Sequence, residues 1–284
     1  MPESLTLTWP VALAVLFGAL LHAGWNALLK SSSDKTLDTA LISLLGSVLA
    51  LPLVLWLGWP VPATWPYLIA SLLIHLGYYF ALAGAYKHGD LGFAYPLMRG
   101  SAPLLVALAA SFGLGERLSA LAWAGLLGIS CGVLALGFTQ KALANHKALV
   151  FALSNAVMIA LYTVVDALGV RASGDALTYI AALFMINGLP FALIVWARRG
   201  PAFLAYSSQR WPLASIGALA SFGSYGIALW AMTQAPVAVV AALRETSVLF
   251  ALLLGYWLLH ERFTPRRALG ALAIVGGVMA LRLG

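Results

Sequence analysis

One apolar stretch that recurs in the second half of the chain constrains this sequence more than any other feature. Residues 91–118 (LGFAYPLMRGSAPLLVALAASFGLGERL) are long enough to cross a bilayer as a helix, and Arg99 is the charge within their apolar part. At about 1.5 Å per residue, Arg99 would lie roughly 12 Å into a hydrocarbon layer about 30 Å thick. A charge at that depth costs at least about 2.5 kcal/mol and is usually kept only inside a bundle or beside a wet cavity.

The second copy spans residues 236–263, where Arg244 takes the place of Arg99 and Glu261 takes the place of Glu116. The offset is 145 residues in both cases (244 − 99 and 261 − 116), and an arginine follows each of the two glutamates. The next apolar segment keeps the same offset at four positions: Gly125 with Gly270, Ile129 with Ile274, and Gly132-Val133 with Gly277-Val278. Chance similarity between apolar segments is the alternative explanation, and the matched charges argue against it.

The composition is that of an integral membrane protein, with 62% hydrophobic and 9% charged residues where soluble domains carry roughly 25% charge. Apolar runs of about 20 residues predict an all-α fold of ten transmembrane helices. Their limits are residues 8–30, 37–59, 64–86, 91–113, 118–139, 147–170, 175–197, 211–233, 236–258 and 264–283. The offset divides them into two five-helix repeats, residues 1–142 and 143–284. Because five is odd, the second repeat must be inverted in the membrane.

The charge distribution predicts partners and orientation. The net charge of +7 lies mostly in short loops, which favours anionic lipid head groups over nucleic acid. Most of these cations follow odd-numbered spans, so we expect the odd loops in the cytoplasm and both termini outside. The single cysteine, Cys131, excludes an intrachain disulfide and a cysteine metal cluster, and no cofactor or metal is predicted. The first span has no basic segment before it and is too long for a signal peptide, so we expect a retained helix.

Polar side chains fall on helical faces of spans 1, 3 and 4 and of their repeat counterparts 6, 8 and 9. Spans 2, 5, 7 and 10 carry almost nothing comparable, so the pattern predicts a central cavity between the two groups. The candidate substrate-binding residues are His22, Trp25, Asn26, His75, Tyr78, Tyr79, Tyr95, Arg99, Tyr162, Asp166, Ser221, Tyr225, Arg244 and Glu245.

Structural explanations compete for several of these residues. His22 and His75 are equally well explained as packed histidines bonded to backbone carbonyls, and Asp166 as a solvated residue near a helix end. Arg99 and Arg244 lie too deep to reach the interface easily. Adjacent helix residues point about 100° apart, so Glu245 cannot pair with Arg244, and we predict a Glu245–Arg99 ion pair. Arg244 then leaves the bundle interior slightly cationic.

A cationic cavity lined by aromatic and hydroxyl groups suits a small solute with a carboxylate or phosphonate, which arginine can bind through two hydrogen bonds. The hypothesis is a secondary transporter of small zwitterionic or anionic metabolites, amino acids first. An exporter of cationic or lipophilic compounds is the alternative. An intramembrane enzyme is disfavoured: residues 128–132 match G-x-S-x-G, but they lie in an apolar helix where small residues serve helix packing.

Several segments resemble the EamA family of the drug/metabolite transporter superfamily. They are residues 99–107 (RGSAPLLVA), 115–118 (GERL) and the second copy ending at 260–263 (HERF). Residues 22–26 (HAGWN) with Lys30, and 162–171 (YTVVDALGVR), are similar to a subgroup associated with phosphonate utilisation.

The resemblance implies a multi-pass protein of a bacterial inner membrane that moves amino acids or related metabolites through a central cavity by alternating access. Its partners are then a small-molecule substrate and the lipid bilayer, with a monomer and a homodimer both open. Characterised relatives often have cytoplasmic termini, whereas the loop charges predict the opposite, and we follow the loop charges.

Overall fold

The computed structural model describes residues 6–30, 32–89, 91–137, 145–259 and 264–284, which form helices and turns without a strand. A 3₁₀ turn, Pro62–Thr64, precedes α3. Within these described ranges, the α-helices are α1 (Trp9–Lys30), α2 (Lys35–Leu57), α3 (Trp65–His88), α4 (Leu91–Gly113), α5 (Ala120–Gly137), α6 (His146–Ser173), α7 (Ala176–Arg199), α8 (Pro201–Met232), α9 (Val237–Arg244), α10 (Ser247–Leu259) and α11 (Pro265–Leu283).

Nine segments within the described ranges are long and apolar enough to cross a membrane, and together α9 and the first part of α10 form one of them. The helix α11 corresponds to the tenth predicted span but contains Arg266, Arg267 and Arg282. The prediction of an all-α membrane fold is therefore confirmed. The second Glu-Arg pair, Glu261-Arg262, lies outside the described residues.

Helix starts follow the sequence closely because short polar side chains cap them. Asp34, Asn145, Asp175 and Thr264 each accept a hydrogen bond from a backbone N–H group in the first turn of α2, α6, α7 and α11. Such caps satisfy donors that have no partner inside the helix. They mark the points at which the short turns end and the long apolar helices begin.

Two elements differ from the predicted limits. The helix α8 begins at Pro201, about ten residues earlier than predicted, because the polar residues 207–210 (SSQR) lower the hydropathy without interrupting the helix. In this first part of α8, Phe203 is buried and the Tyr206 hydroxyl shares a hydrogen bond with the Ser32 hydroxyl. The ninth predicted span is broken at Glu245 and Thr246, which separate α9 from α10.

The break results from a local change in backbone hydrogen bonding. The N–H groups of Glu245 and Thr246 donate to the carbonyls three residues earlier, at 3.0 and 3.1 Å. Val248 and Leu249 do the same, at 3.0 and 2.9 Å. Bonds of this type tighten the helix locally, and interrupted membrane helices occur where a backbone lines a cavity or is buried in protein.

The strongest helix pairings join the two halves of the chain. The helix α5 packs along α11, α3 along α6, α2 along α7 and α1 along α8. The α5–α11 contact is close because glycines face each other: a Cβ on Gly277 would meet the Gly125 carbonyl oxygen at 2.5 Å, and one on Gly132 would meet the Gly270 oxygen at 2.7 Å. The division into two inverted repeats stays a prediction.

An ion pair ties together the loops at one end of the bundle. Arg171 donates to Glu116 at 3.0 Å and to the Met232 carbonyl at 2.8 Å. The backbone N–H of Val237, at the start of α9, donates to both Glu116 oxygens at 3.0 and 2.9 Å. A carboxylate is favoured there because helix N-termini carry partial positive charge. Glu116, singled out by the repeat, therefore anchors the first turn of α9.

Candidate functional site

A cavity of about 260 Å³ lies between α1–α4 and α6–α9. All the predicted site residues line it except Asp166 and Glu245. These lining residues are His22, Trp25, Asn26, His75, Tyr78, Tyr79, Tyr95, Arg99, Tyr162, Ser221, Tyr225 and Arg244. Their role as substrate-binding residues stays a prediction, but they share one chamber.

The cavity occupies one half of the bundle. Its lining comes from the C-terminal parts of α1 and α3 and the N-terminal parts of α2 and α4, which lie towards the α1–α2 and α3–α4 connections. The other half is filled by an apolar core that includes Val15, Leu68, Val106 and Leu229, all at most 1% exposed. The chamber therefore lies nearer one membrane face, and apolar packing separates it from the other.

Arg99 and Glu245 form a buried ion pair at the wall of the cavity. The Nε atom of Arg99 lies 2.9 Å from Oε2 of Glu245, and the residues are 7% and 3% exposed. The predicted pairing is therefore confirmed. The two charges offset each other, and Glu245 lies behind Arg99 rather than among the residues that line the cavity.

Because Arg99 and Glu245 offset each other, Arg244 gives the cavity wall a net positive charge. It is 8% exposed, lines the cavity, and its guanidinium carbon lies 5.1 Å from the centre of the Tyr225 ring. Within the described residues no carboxylate lies within ion-pair distance of it. Its position at the C-terminus of α9 is favourable because that helix end carries partial negative charge. An arginine held in this way leaves its donors available to an acidic solute.

Asp166 lies behind the cavity wall, where two phenols enclose it. Tyr179 donates to its Oδ1 at 3.1 Å, and Tyr225 donates to its Oδ2 at 2.5 Å. The residue is fully buried, so the alternative of a solvated residue near a helix end is wrong. Asp166 is not among the residues that line the cavity, and its role as a substrate-binding residue stays a prediction.

Aromatic rings and histidines also line the cavity. His75 stacks on Tyr162 at 4.4 Å, and Tyr162 meets the Tyr225 ring edge-on at 6.1 Å. The Nδ1 atom of His75 lies 2.8 Å from the Ser71 carbonyl oxygen, so the packed-histidine explanation holds for that nitrogen. Trp25 donates to Nδ1 of His22 at 3.3 Å. These contacts orient both histidines while leaving them at the cavity.

Sequence reasoning missed polar contributions from α2 and α7. Thr39 and Ser43 on α2, and Asn187 on α7, line the cavity, although these helices were predicted to offer almost nothing. Asn187 is a single polar residue in an apolar span, so only the packing reveals it, whereas Thr39 and Ser43 lie four residues apart on one face of α2, a spacing that the sequence shows. Asn155 had a detectable signal, because it lies seven residues before Tyr162 on the same face of α6 and donates to the Tyr78 carbonyl at 3.0 Å.

No candidate metal cluster accompanies the cavity in the part of the chain that the structure describes. No group of three or more His, Cys, Asp or Glu residues there could hold a metal ion. The G-x-S-x-G segment lies inside α5, where Ser130 is fully buried. A Cβ on Gly128 or Gly132 would contact α11, so this segment serves helix packing.

Comparison with known proteins gives one family and one fold. A family model described as the EamA-like transporter family matches residues 146–283. Twenty-nine solved chains match, among them one described only as a crystal structure of a protein, with a TM-score of 0.75, 21% sequence identity and 99% of each chain covered. At that identity the likeness concerns the fold alone. No curated protein matches the chain.

Proposed function

We propose a specific transport function for this chain, which belongs through residues 146–283 to the EamA-like transporter family. The protein is a secondary transporter that moves small zwitterionic or anionic metabolites, amino acids or related phosphonates first, across a bacterial inner membrane. The observation that carries this proposal is Arg244, a buried guanidinium at the cavity without a carboxylate partner among the described residues.

The chemistry of the wall supports this substrate class. A guanidinium binds carboxylate or phosphonate oxygens through two parallel hydrogen bonds. Aromatic rings such as those of the cavity wall can attract an ammonium group, and Asn26 adds amide donors and an acceptor. A cavity of about 260 Å³ is at the small end of ligand pockets. It therefore suits a solute of amino-acid size.

Alternating access between two inverted five-helix repeats, residues 1–142 and 143–284, is the proposed mechanism. The glycine contacts support it: the offset of 145 exchanges Gly125 with Gly270 and Gly132 with Gly277, and thereby converts the Gly125–Gly277 contact into the Gly270–Gly132 contact. A two-fold axis within the membrane plane produces such reciprocal contacts. With the odd loops in the cytoplasm and both termini outside, the chamber faces the cytoplasmic side.

Two alternative functions are weaker. An exporter of cationic or lipophilic compounds needs accessible carboxylates in its cavity, but Asp166 and Glu245 are not among the residues that line it. An intramembrane enzyme needs a nucleophile or an acid–base pair beside the cavity, whereas the motif serine, Ser130, is packed inside α5. The transporter family of residues 146–283 also favours transport over catalysis.

Counterflow of labelled alanine, serine and 2-aminoethylphosphonate in proteoliposomes tests the proposal. Arg244→Gln should lower exchange, because a hydrogen bond to a charged group contributes roughly 1.5–3 kcal/mol, which is about 10–150-fold in affinity. Arg198→Gln is the matched control, because Arg198 is exposed at the end of α7. Unchanged exchange by Arg244→Gln, or wild-type exchange of tetraphenylphosphonium instead of these solutes, would contradict the proposal.

A further inference from the structure

The carboxylate of Asp166 is the one described acidic group that is fully buried without a cation beside it. Asp38 and Glu245, the other deeply buried acids within the described residues, lie 3.5 and 2.9 Å from Arg210 and Arg99. Asp166 instead accepts hydrogen bonds from two phenol hydroxyls, and the Ser71 hydroxyl and the His75 ring lie beside it. A charged carboxylate in this setting is expensive, and ionisable residues kept inside a membrane protein usually serve the movement of ions or solutes.

We propose that Asp166 is a proton-binding site through which this transporter couples solute movement to a proton. The inference rests on the proposed transport function and adds its coupling ion. A proton from water in the cavity binds to Oδ2 of Asp166 by way of the Tyr225 hydroxyl, which lies between the chamber and the carboxylate. The same proton leaves when the chamber opens to the other side of the membrane.

Tyr225 links this proton site to the solute site. Its hydroxyl donates to Asp166 at 2.5 Å, and its ring faces the guanidinium of Arg244 at 5.1 Å. A carboxylate or phosphonate held by Arg244 adds negative charge on the far side of the same ring. Like charges in a medium of low dielectric repel strongly, and protonation of Asp166 removes this repulsion. Proton and acidic solute therefore favour each other's binding, which produces movement of both in the same direction.

Other titratable groups surround Asp166, and their chemistry bears on which residue binds the proton. They are Tyr162 on its own helix, His75 on α3, Tyr179 on α7 and Tyr225 on α8, with Arg244 on α9 and the Arg99–Glu245 pair beyond them. The tyrosines carry their protons at neutral pH. A histidine becomes neutral by losing a proton, whereas a carboxylate becomes neutral by gaining one, and Glu245 already has Arg99 as its partner, so the proposal places the proton on Asp166.

The test uses full-length protein in proteoliposomes with the membrane potential held at zero by valinomycin and equal potassium. At zero potential, one proton moved per solute supports tenfold accumulation for each pH unit of gradient. We expect wild-type protein to approach tenfold accumulation of whichever solute it exchanges, alanine or 2-aminoethylphosphonate. Asp166→Asn should remain near a ratio of one while counterflow continues. Asp38→Asn, the same change at a buried carboxylate paired with Arg210, should accumulate like wild type.

Three results would overturn the inference: full accumulation by Asp166→Asn, exchange without accumulation by wild type, or loss of counterflow in folded Asp166→Asn protein. A wild-type protein that exchanges none of the probes would contradict the transport proposal itself. For that case, and for an Asp166→Asn variant that does not fold, a second measurement tests the proton site directly. Infrared difference spectra of wild-type protein between acid and alkaline pH should show a protonated-carboxyl band that shifts in Tyr225→Phe. A spectrum in which no carboxyl band responds to Tyr225→Phe overturns the proton site.

Discussion

The buried pair between Arg99 and Glu245 should show strong coupling in a double-mutant cycle. Either single change, Arg99→Met or Glu245→Leu, leaves one charge without its partner at a position where the residues are only 7% and 3% exposed. Removing one member of such a pair typically costs about 3–5 kcal/mol, whereas replacing both with apolar residues of similar volume is often neutral. We therefore expect the double variant to be more stable than either single variant.

The magnitude follows from the geometry. The 2.9 Å separation between Nε and Oε2 places the two charges in direct contact, and Glu245 is only 3% exposed, so its carboxylate has little access to water once Arg99 is removed. A loss of 3 kcal/mol corresponds to a decrease of roughly 6–12 °C in the unfolding midpoint. The midpoint can be measured on detergent-purified protein by size-exclusion chromatography after heating.

The unfolding midpoints of wild type, the two single variants and the double variant together show whether the two residues are coupled. Both single variants should lose stability by that amount, and the double variant should recover most of it. Losses that simply add in the double variant would show that the two residues act independently. A single Arg99→Met variant as stable as wild type would refute the reasoning, because the Glu245 carboxylate would then tolerate burial alone.

Two further predictions concern packing and the end of the bundle. Gly277→Ala should destabilise the protein by about 1–3 kcal/mol through overpacking, because its Cβ would meet the Gly125 carbonyl oxygen at 2.5 Å; the adjacent Gly276→Ala, with nothing within 4 Å, should be neutral or stabilising in the same thermal assay. Glu116→Ala should lower stability by about 1–2 kcal/mol, as loss of a helix cap does, because the N–H of Val237 loses its acceptor; an unchanged midpoint would show that this cap contributes nothing.

The repeat in the sequence was the most informative signal for the site. A charge deep in an apolar helix is tolerated in few environments, mainly a bundle interior or a wet cavity. Arg99 and Arg244, which occupy equivalent positions in the two repeats, therefore already implied a shared polar interior. The rule that neighbouring helical residues diverge then selected Arg99 as the partner of Glu245, and the structure agrees. Helical spacing also selected most residues of the cavity wall, because side chains three and four positions apart lie on one face.

Other features depended on packing that no local pattern encodes. The wall residue from α7, Asn187, is an isolated polar group in an apolar segment, and only its neighbours make it part of the cavity. The break after Arg244 likewise follows from hydrogen bonding around Glu245 and Thr246 rather than from a glycine or proline at that point.

The sequence by itself determined that this chain spans a membrane, in about ten helices, with paired arginines inside the bundle. Those conclusions follow from hydropathy and from the cost of burying charge, which act on each segment separately. Only the tertiary structure decided which charges neutralise each other. It paired Arg99 with Glu245, left Arg244 at the cavity, and enclosed Asp166 between two phenols. Such outcomes depend on distances of a few ångströms between helices that are far apart in the chain.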